Sequence, residues 1–153
     1  MSDIKFGIEK VSQVLNEIIP LCIKHWEEIA HFKDIPLEID RDGYARLENL
    51  GLLRIFTARE DTKLIGYSIY LVSYNMHYKS SLQAKQDVLY IDKEKRGFGH
   101  KFILWCDEQL KKEGVQVVYH HIKAAHNWGK MIEKLGYELQ DLIYCKRLDM
   151  EGK

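Results

Sequence analysis

Gln86-Asp87-Val88-Leu89-Tyr90-Ile91-Asp92-Lys93-Glu94-Lys95-Arg96-Gly97-Phe98-Gly99-His100-Lys101-Phe102-Ile103-Leu104-Trp105-Cys106-Asp107-Glu108-Gln109-Leu110-Lys111-Lys112-Glu113 is the stretch on which the reading of this chain turns. Val88 to Ile91 is a run of β-branched, aromatic and aliphatic residues, the composition of a buried strand. From Gly99 the apolar residues Phe102, Ile103, Trp105, Cys106 and Leu110 recur at helical spacing, and Gly114 supplies the stop. Between them Gly97 and Gly99 allow a tight turn and a close approach of backbone N–H groups to a ligand. The helix start adds unpaired donors and a partial positive charge, so this corner suits a phosphate or pyrophosphate. Lys93, Lys95, Arg96, His100 and Lys101 place cationic or titratable groups around it. From two glycines alone, a strand-to-helix turn with solvated basic residues is an equal reading. No Lys-Ser/Thr pair follows the second glycine and no third glycine completes a dinucleotide fingerprint, which sets those two phosphate-binding folds aside.

Working outward, 153 residues fit one domain with a core large enough to need neither metal nor disulfide. Lys plus Arg and Asp plus Glu balance at 23 each, so no overall field recruits nucleic acid or an anionic membrane. Cys22, Cys106 and Cys145 lie far apart without Cys-x-x-Cys spacing, which argues against a disulfide framework. The amino terminus lacks an apolar signal core and no apolar run is long enough to span a bilayer, so a cytoplasmic protein is expected.

Before the central stretch, residues 5–11 suit a first strand and residues 11–30 a helix, with Pro20 inside it predicting a kink or a break into two helices. His25, Glu28 and His31 lie three residues apart along one side, not at the zincin spacing of histidines four apart, so no metal is expected there. Asp40 or Asp42 can cap a short helix closed by Gly51. Residues 52–59 and 64–74 read as a hairpin about 60–63, and residues 75–84 as a loop. After the central helix, residues 115–122 form a strand that must be parallel to the strand before it, because a crossover joins them. A short helix from about Asn127 to Gly136 follows, and residues 137–148 supply closing strands or one long strand.

The segment Leu89-Tyr90-Ile91-Asp92-Lys93-Glu94-Lys95-Arg96-Gly97-Phe98-Gly99 resembles the acetyl-CoA segment of the GNAT N-acetyltransferases, a strand of the type L-Y-V, an acidic or proline-containing loop, then [QR]-x-x-G-x-[GA]. Arg96 takes the first motif position and Gly99 the fourth, while Lys101 stands where the family usually has glycine or alanine. Met131-Ile132-Glu133-Lys134-Leu135-Gly136-Tyr137 looks like the family's closing element. The resemblance implies a single α/β domain over residues 1–153, with a mixed, mostly antiparallel sheet, a splayed central parallel strand pair and helices on both faces. It implies acetyl-CoA as the acyl-donor cosubstrate, held by Leu89, Tyr90 and Ile91 of the strand, by Arg96, Gly97, Phe98, Gly99, His100 and Lys101 of the corner, and by Asn127, which is equally suited to cap a helix. A homodimer is compatible with it.

Acetyl transfer to an amine requires that the amine lose a proton, that the carbonyl oxygen be stabilised and that sulfur leave. The resemblance aligns Asp87 with the family's substrate-handling glutamate, and strand alternation puts it on the face of Leu89. On the following strand His120 and His121 point to opposite faces, and His121 shares the phase of Val117 and Tyr119, which makes it the candidate proton relay. A buried structural histidine is nearly as good a reading. The tyrosine that often protonates the thiolate is replaced by Ile132, leaving Tyr90, Tyr144 or water. The expectation is therefore an N-acetyltransferase acting on an amine of a small molecule, peptide or protein. The alternative is a weak or inactive acyl-CoA-binding module of the same fold, and a nucleic-acid binder ranks last.

Overall fold

The computed structural model describes residues 3–95 and 97–150. In chain order the elements are β1 (Ile4–Ile8), α1 (Val11–Ile29), α2 (Arg41–Asn49), β2 (Leu53–Glu60), β3 (Lys63–Tyr74), β4 (Leu82–Ile91), α3 (Gly99–Lys112), β5 (Val117–Tyr119) and α4 (Gly129–Glu133), with a 3-10 turn at Ala124–His126. The sheet order is β1-β2-β3-β4-β5. The first three pairings are antiparallel and the last, closed over α3, is parallel. The fold is a mixed α/β sheet with helices on both faces, as expected.

Each face has its own apolar layer. Val14, Leu15, Ile18 and Leu21 of α1 recur at helical spacing and pack with Ile55, Tyr67, Ile69 and Tyr90 of the sheet. On the other face Phe102, Cys106 and Leu110 of α3 meet Phe56, Tyr70, Val72 and Ala84. The local signals hold where they rest on capping and turn chemistry. Asp40 caps α2 by accepting a hydrogen bond from the Gly43 N–H at 2.8 Å, and Gly51 and Gly114 follow their helices with positive φ.

Four expectations change. The break into two helices does not occur: α1 is a single helix from Val11 to Ile29 with Pro20 inside it. Pro20 is exposed, so the carbonyl that loses its helical partner faces water, while buried Ile18 and Leu21 on either side hold the helix to the sheet. β4 begins at Leu82, inside the stretch read as a loop. β5 spans only Val117–Tyr119. Residues 137–148 form no strand: among the described residues the sheet ends at β5.

The most consequential local feature is a β-bulge. Ile69 pairs with Val88 but its neighbour Tyr70 pairs with Gln86, so Asp87 is an extra residue in β4. The bulge reverses the alternation of the strand. Leu82 and Ala84 before it lie on the α3 face, whereas Val88 and Tyr90 after it pack on the α1 face. Asp87 therefore sits on the α1 and α2 side with Val88, opposite Leu89, which packs on the α3 face. The expectation that Asp87 and Leu89 share a face fails for this reason.

Candidate active site

The parallel pairing of β4 with β5 runs from Gln83–Val117 to Lys85–Tyr119 and stops, while β4 continues to Ile91 beside β3. The two strands part immediately before the bulge. One side chain spans the start of the opening: buried Gln86 accepts, through its Oε1, the N–H of His121 at 3.0 Å. Asp87 follows, exposed, and accepts a hydrogen bond from the Tyr44 hydroxyl at 3.3 Å. Burial, then the charge of Asp87, raises the Tyr44 phenol far above its ordinary pKa, so Tyr44 remains a donor to that carboxylate.

Asp87 and Tyr44 line a groove of about 360 Å³ together with Glu38, Ile39, Asp40, Gly43, Leu47 and Leu71. Its lining includes three carboxylates and no lysine or arginine. Such a groove favours a cationic ligand.

At the far end of β4 lies the glycine corner. Gly97 has φ +129°, a conformation that L side chains rarely adopt, so glycine is required there by the backbone rather than by lack of space. A Cβ on Gly99 would come within 3.1 Å of the Ile91 Cδ1. Phe98 offers α3 no side-chain cap, and the first helical bond, at 3.0 Å, is from the Phe102 N–H to the Phe98 carbonyl. Among the described residues no acceptor is bonded to the N–H groups of Gly99, His100 and Lys101, which therefore form a donor set for an anion. His100 and Lys101 are exposed there, while Lys95 is paired with Glu60 at 2.9 Å, away from that duty. Arg96 lies outside the described residues. The N–H donors and the glycine backbone fit a diphosphate.

The remaining sequence candidates separate. His121 lies two residues beyond the last β5 pair with an exposed ring. His120 points the other way, into a cluster on the α3 face, with Nε2 3.2 Å from the Tyr70 hydroxyl and its ring against Tyr137 and Trp128. Burial, and secondarily the neighbouring His121, lowers its pKa to about 4, so His120 is neutral at pH 7. Asn127 does not cap α4, whose N-cap is Trp128 with no side-chain cap; its Oδ1 accepts the Gly129 N–H at 2.8 Å in an Asx turn, which leaves its amide N–H₂ for another partner. Ile132 is buried in α4. Of the tyrosines weighed in its stead, Tyr90 is buried with its ring against Tyr67 and His25, and Tyr144 is 88% exposed. Sequence reasoning missed Gln86, Tyr44 and Glu38. Gln86 precedes the Val88–Ile91 run that reads as the strand, so its place inside β4 is not legible in the sequence. Tyr44 and Glu38 reach the site only through the placement of α2.

No protein-family model matches the chain, and no curated protein sequence matches it. Solved structures do match in fold. One is an aminoglycoside acetyltransferase from an uncultured soil metagenomic sample in complex with trehalose, 17% identical, TM-score 0.73, covering 95% of this chain and 97% of that one. Another is glucosamine-6-phosphate N-acetyltransferase from Arabidopsis thaliana, 15% identical, TM-score 0.71, covering 96% and 99%. A third is ribosomal-protein-alanine N-acetyltransferase from Brucella melitensis biovar Abortus 2308, 14% identical, TM-score 0.70, covering 95% and 99%. Because these matches span nearly the whole of each chain, this chain has the GNAT acetyltransferase fold.

Proposed function

We propose that this protein is an acetyl-CoA-dependent N-acetyltransferase whose acceptor is a small cationic amine. The observation that carries the reading is the wedge itself. Two parallel strands part at Lys85 and Tyr119, a carboxylate stands at the apex, and a glycine-flanked helix start lies at the far end. Acetyl-CoA supplies the acetyl group as a thioester. Its diphosphate would be held by the N–H groups of Gly99, His100 and Lys101 with Gly97 shaping the turn, and its arm would run along the distal half of β4 past Leu89. Asn127 would contribute its free amide.

Asp87 would accept the proton that the ammonium must lose before it can attack. Tyr44 orients that carboxylate through its hydroxyl, and Glu38 and Asp40 add negative charge that draws a cation into the groove. His121, at the mouth of the wedge and tied by its backbone to Gln86 beside Asp87, is placed to pass the proton to solvent. The fold neighbours include an acetyltransferase solved with sisomicin, which accords with an amine-bearing small molecule as acceptor.

Thiol release from acetyl-CoA, measured over a panel of polyamines, amino sugars, phosphorylated amino sugars and peptides, tests the proposal. Turnover highest with di- and polyamines is expected. Turnover with phosphorylated amino sugars alone would overturn the acceptor class, and none with any amine would overturn the activity. One observation favours a second reading, an acyl-CoA-binding module without turnover: buried Ile132 offers no proton to a departing thiolate. Saturable acetyl-CoA binding with no thiol release on the whole panel would select it.

A further inference from the structure

The β4–β5 ladder ends at Lys85–Tyr119 because Asp87, the extra residue of the bulge, carries the following β4 carbonyls out of step with β5. His120 and His121, the next residues of the chain, therefore have no place in the ladder. Both are held all the same. The His121 N–H donates to the side-chain Oε1 of Gln86 at 3.0 Å, and the His120 Nε2 lies 3.2 Å from the Tyr70 hydroxyl. Gln86 and Tyr70 are cross-strand partners, and both are buried. A buried amide costs free energy unless it is partnered, and the β4 residues before it on the same face, Leu82 and Ala84, are apolar. Gln83, the other buried glutamine of the strand, is occupied by Asn75 and Ser81 at the β3–β4 turn. The tie to β5 thus belongs to Gln86.

What Gln86 ties is a backbone group, and the kind of acceptor sets the spacing. In a regular sheet such an N–H meets a backbone carbonyl of the next strand, which holds the two strands about 4.8 Å apart. Here the carbonyl stands at the end of a glutamine side chain, which reaches further from its own strand. The bond accordingly fastens β5 to β4 without drawing the gap shut. We propose that Gln86 sets the aperture of the wedge. It is a positioning residue: acting through the His121 backbone, it keeps the end of β5 at a separation that admits an acetyl thioester and excludes longer acyl chains. Tyr70, which holds a ring and not the backbone, steadies the same stretch without setting its distance. This role rests on the reading of the wedge as the acetyl-CoA site, and it adds to that reading the choice of acyl donor.

Calorimetric titration of acetyl-CoA and of butyryl-CoA into the wild-type chain, Gln86→Met and Gln86→Glu tests this role. Methionine matches glutamine in length and lacks the acceptor, whereas glutamate retains an acceptor oxygen. The wild-type chain should prefer acetyl-CoA. In Gln86→Met the ratio of the two affinities should fall about tenfold, the worth of a methylene or two, and Gln86→Glu should restore most of it. The fraction of folded protein cancels from that ratio, so a merely structural role would leave it unmoved. Hydrogen exchange at the His121 amide is the second measurement and needs no variant. In the wild-type chain without ligand that amide should exchange at least about tenfold more slowly than an open one, although it lies past the ladder. A freely exchanging His121 amide, no preference for acetyl-CoA in the wild-type chain, an equal ratio in wild type and Gln86→Met, or a ratio that Gln86→Glu leaves at the methionine value would each overturn the role of Gln86. Failure of the wild-type chain to bind either thioester would overturn the acetyl-CoA reading itself, and the aperture with it.

Discussion

The two faces of the sheet carry polar clusters built from the same kinds of residue but put to different use. On the α1 and α2 face the Tyr44 hydroxyl donates to Asp87 at the rim of an open groove, and the Cys22 thiol pairs with the Tyr67 hydroxyl below at 3.0 Å. On the α3 face Tyr70 pairs with His120 and Tyr137 with Asp107 under a cover of Trp128 and α4. In the first cluster the ionisable group that matters, Asp87, is exposed and reachable. In the second, burial pushes Asp107 up to about 6, against the opposing pull of Tyr137, and His120 down to about 4. Equivalent chemistry becomes a candidate site where the bulge turns it outward and a piece of the core where a helix covers it.

The largest test of that contrast is Asp87→Asn. Removing the proposed base should lower kcat by about 10²- to 10⁴-fold while leaving the acetyl-CoA affinity and the melting temperature unchanged. A full-rate variant would move the chemistry away from the groove.

The covered cluster should declare itself through pH and not through rate. His120, lowered from 6.5 to about 4 on folding, contributes stability that is present above its unfolded pKa and lost as pH falls through the folded one. That loss amounts to about 3 kcal/mol. Asp107, raised from 3.8 to about 6, has the opposite sign: the folded state takes up its proton first and gains as pH falls over the same window. The two offset in the wild-type chain. In Asp107→Asn the His120 loss stands alone, so denaturant unfolding from pH 6.5 to 4 should show a steeper acid decline than wild type. Parallel curves for the two proteins would break the assignment.

Tyr137→Phe is next in size. It deprives the part-buried Asp107 of its hydroxyl donor and should cost about 1–3 kcal/mol, read as a fall in melting temperature of several degrees, with turnover per folded molecule unchanged. Tyr44→Phe, the matched change on the open face, should do the reverse. Water can replace the lost donor, so stability barely moves, while kcat falls roughly fivefold as Asp87 loses its orienting bond.

The contrast also shows what the sequence could reveal. The strand, glycine turn and helix around Gly97 and Gly99, the hairpin about Asp61 and the Asp40 cap were all legible, because each rests on local backbone chemistry. The bulge was not. An extra residue before a continuous apolar run such as Val88–Ile91 leaves no break in the pattern, so Asp87 was placed on the wrong face although it was picked out as a candidate. The choice between His120 and His121 rested on strand phase, whereas the packing of His120 against Tyr70, Trp128 and Tyr137 is something no local pattern carries. The final strand was misread because its apolar run is real but has no partner within the described chain.

The wedge as an acetyl-CoA site is tested most directly by calorimetric titration of acetyl-CoA into the wild-type chain and into Gly97→Val, which cannot hold φ +129° at low cost. Saturable binding of one acetyl-CoA per chain, clearly weakened by the valine, is the predicted result. Absence of saturable heat with the wild-type chain, or equal binding by the two proteins, would contradict it.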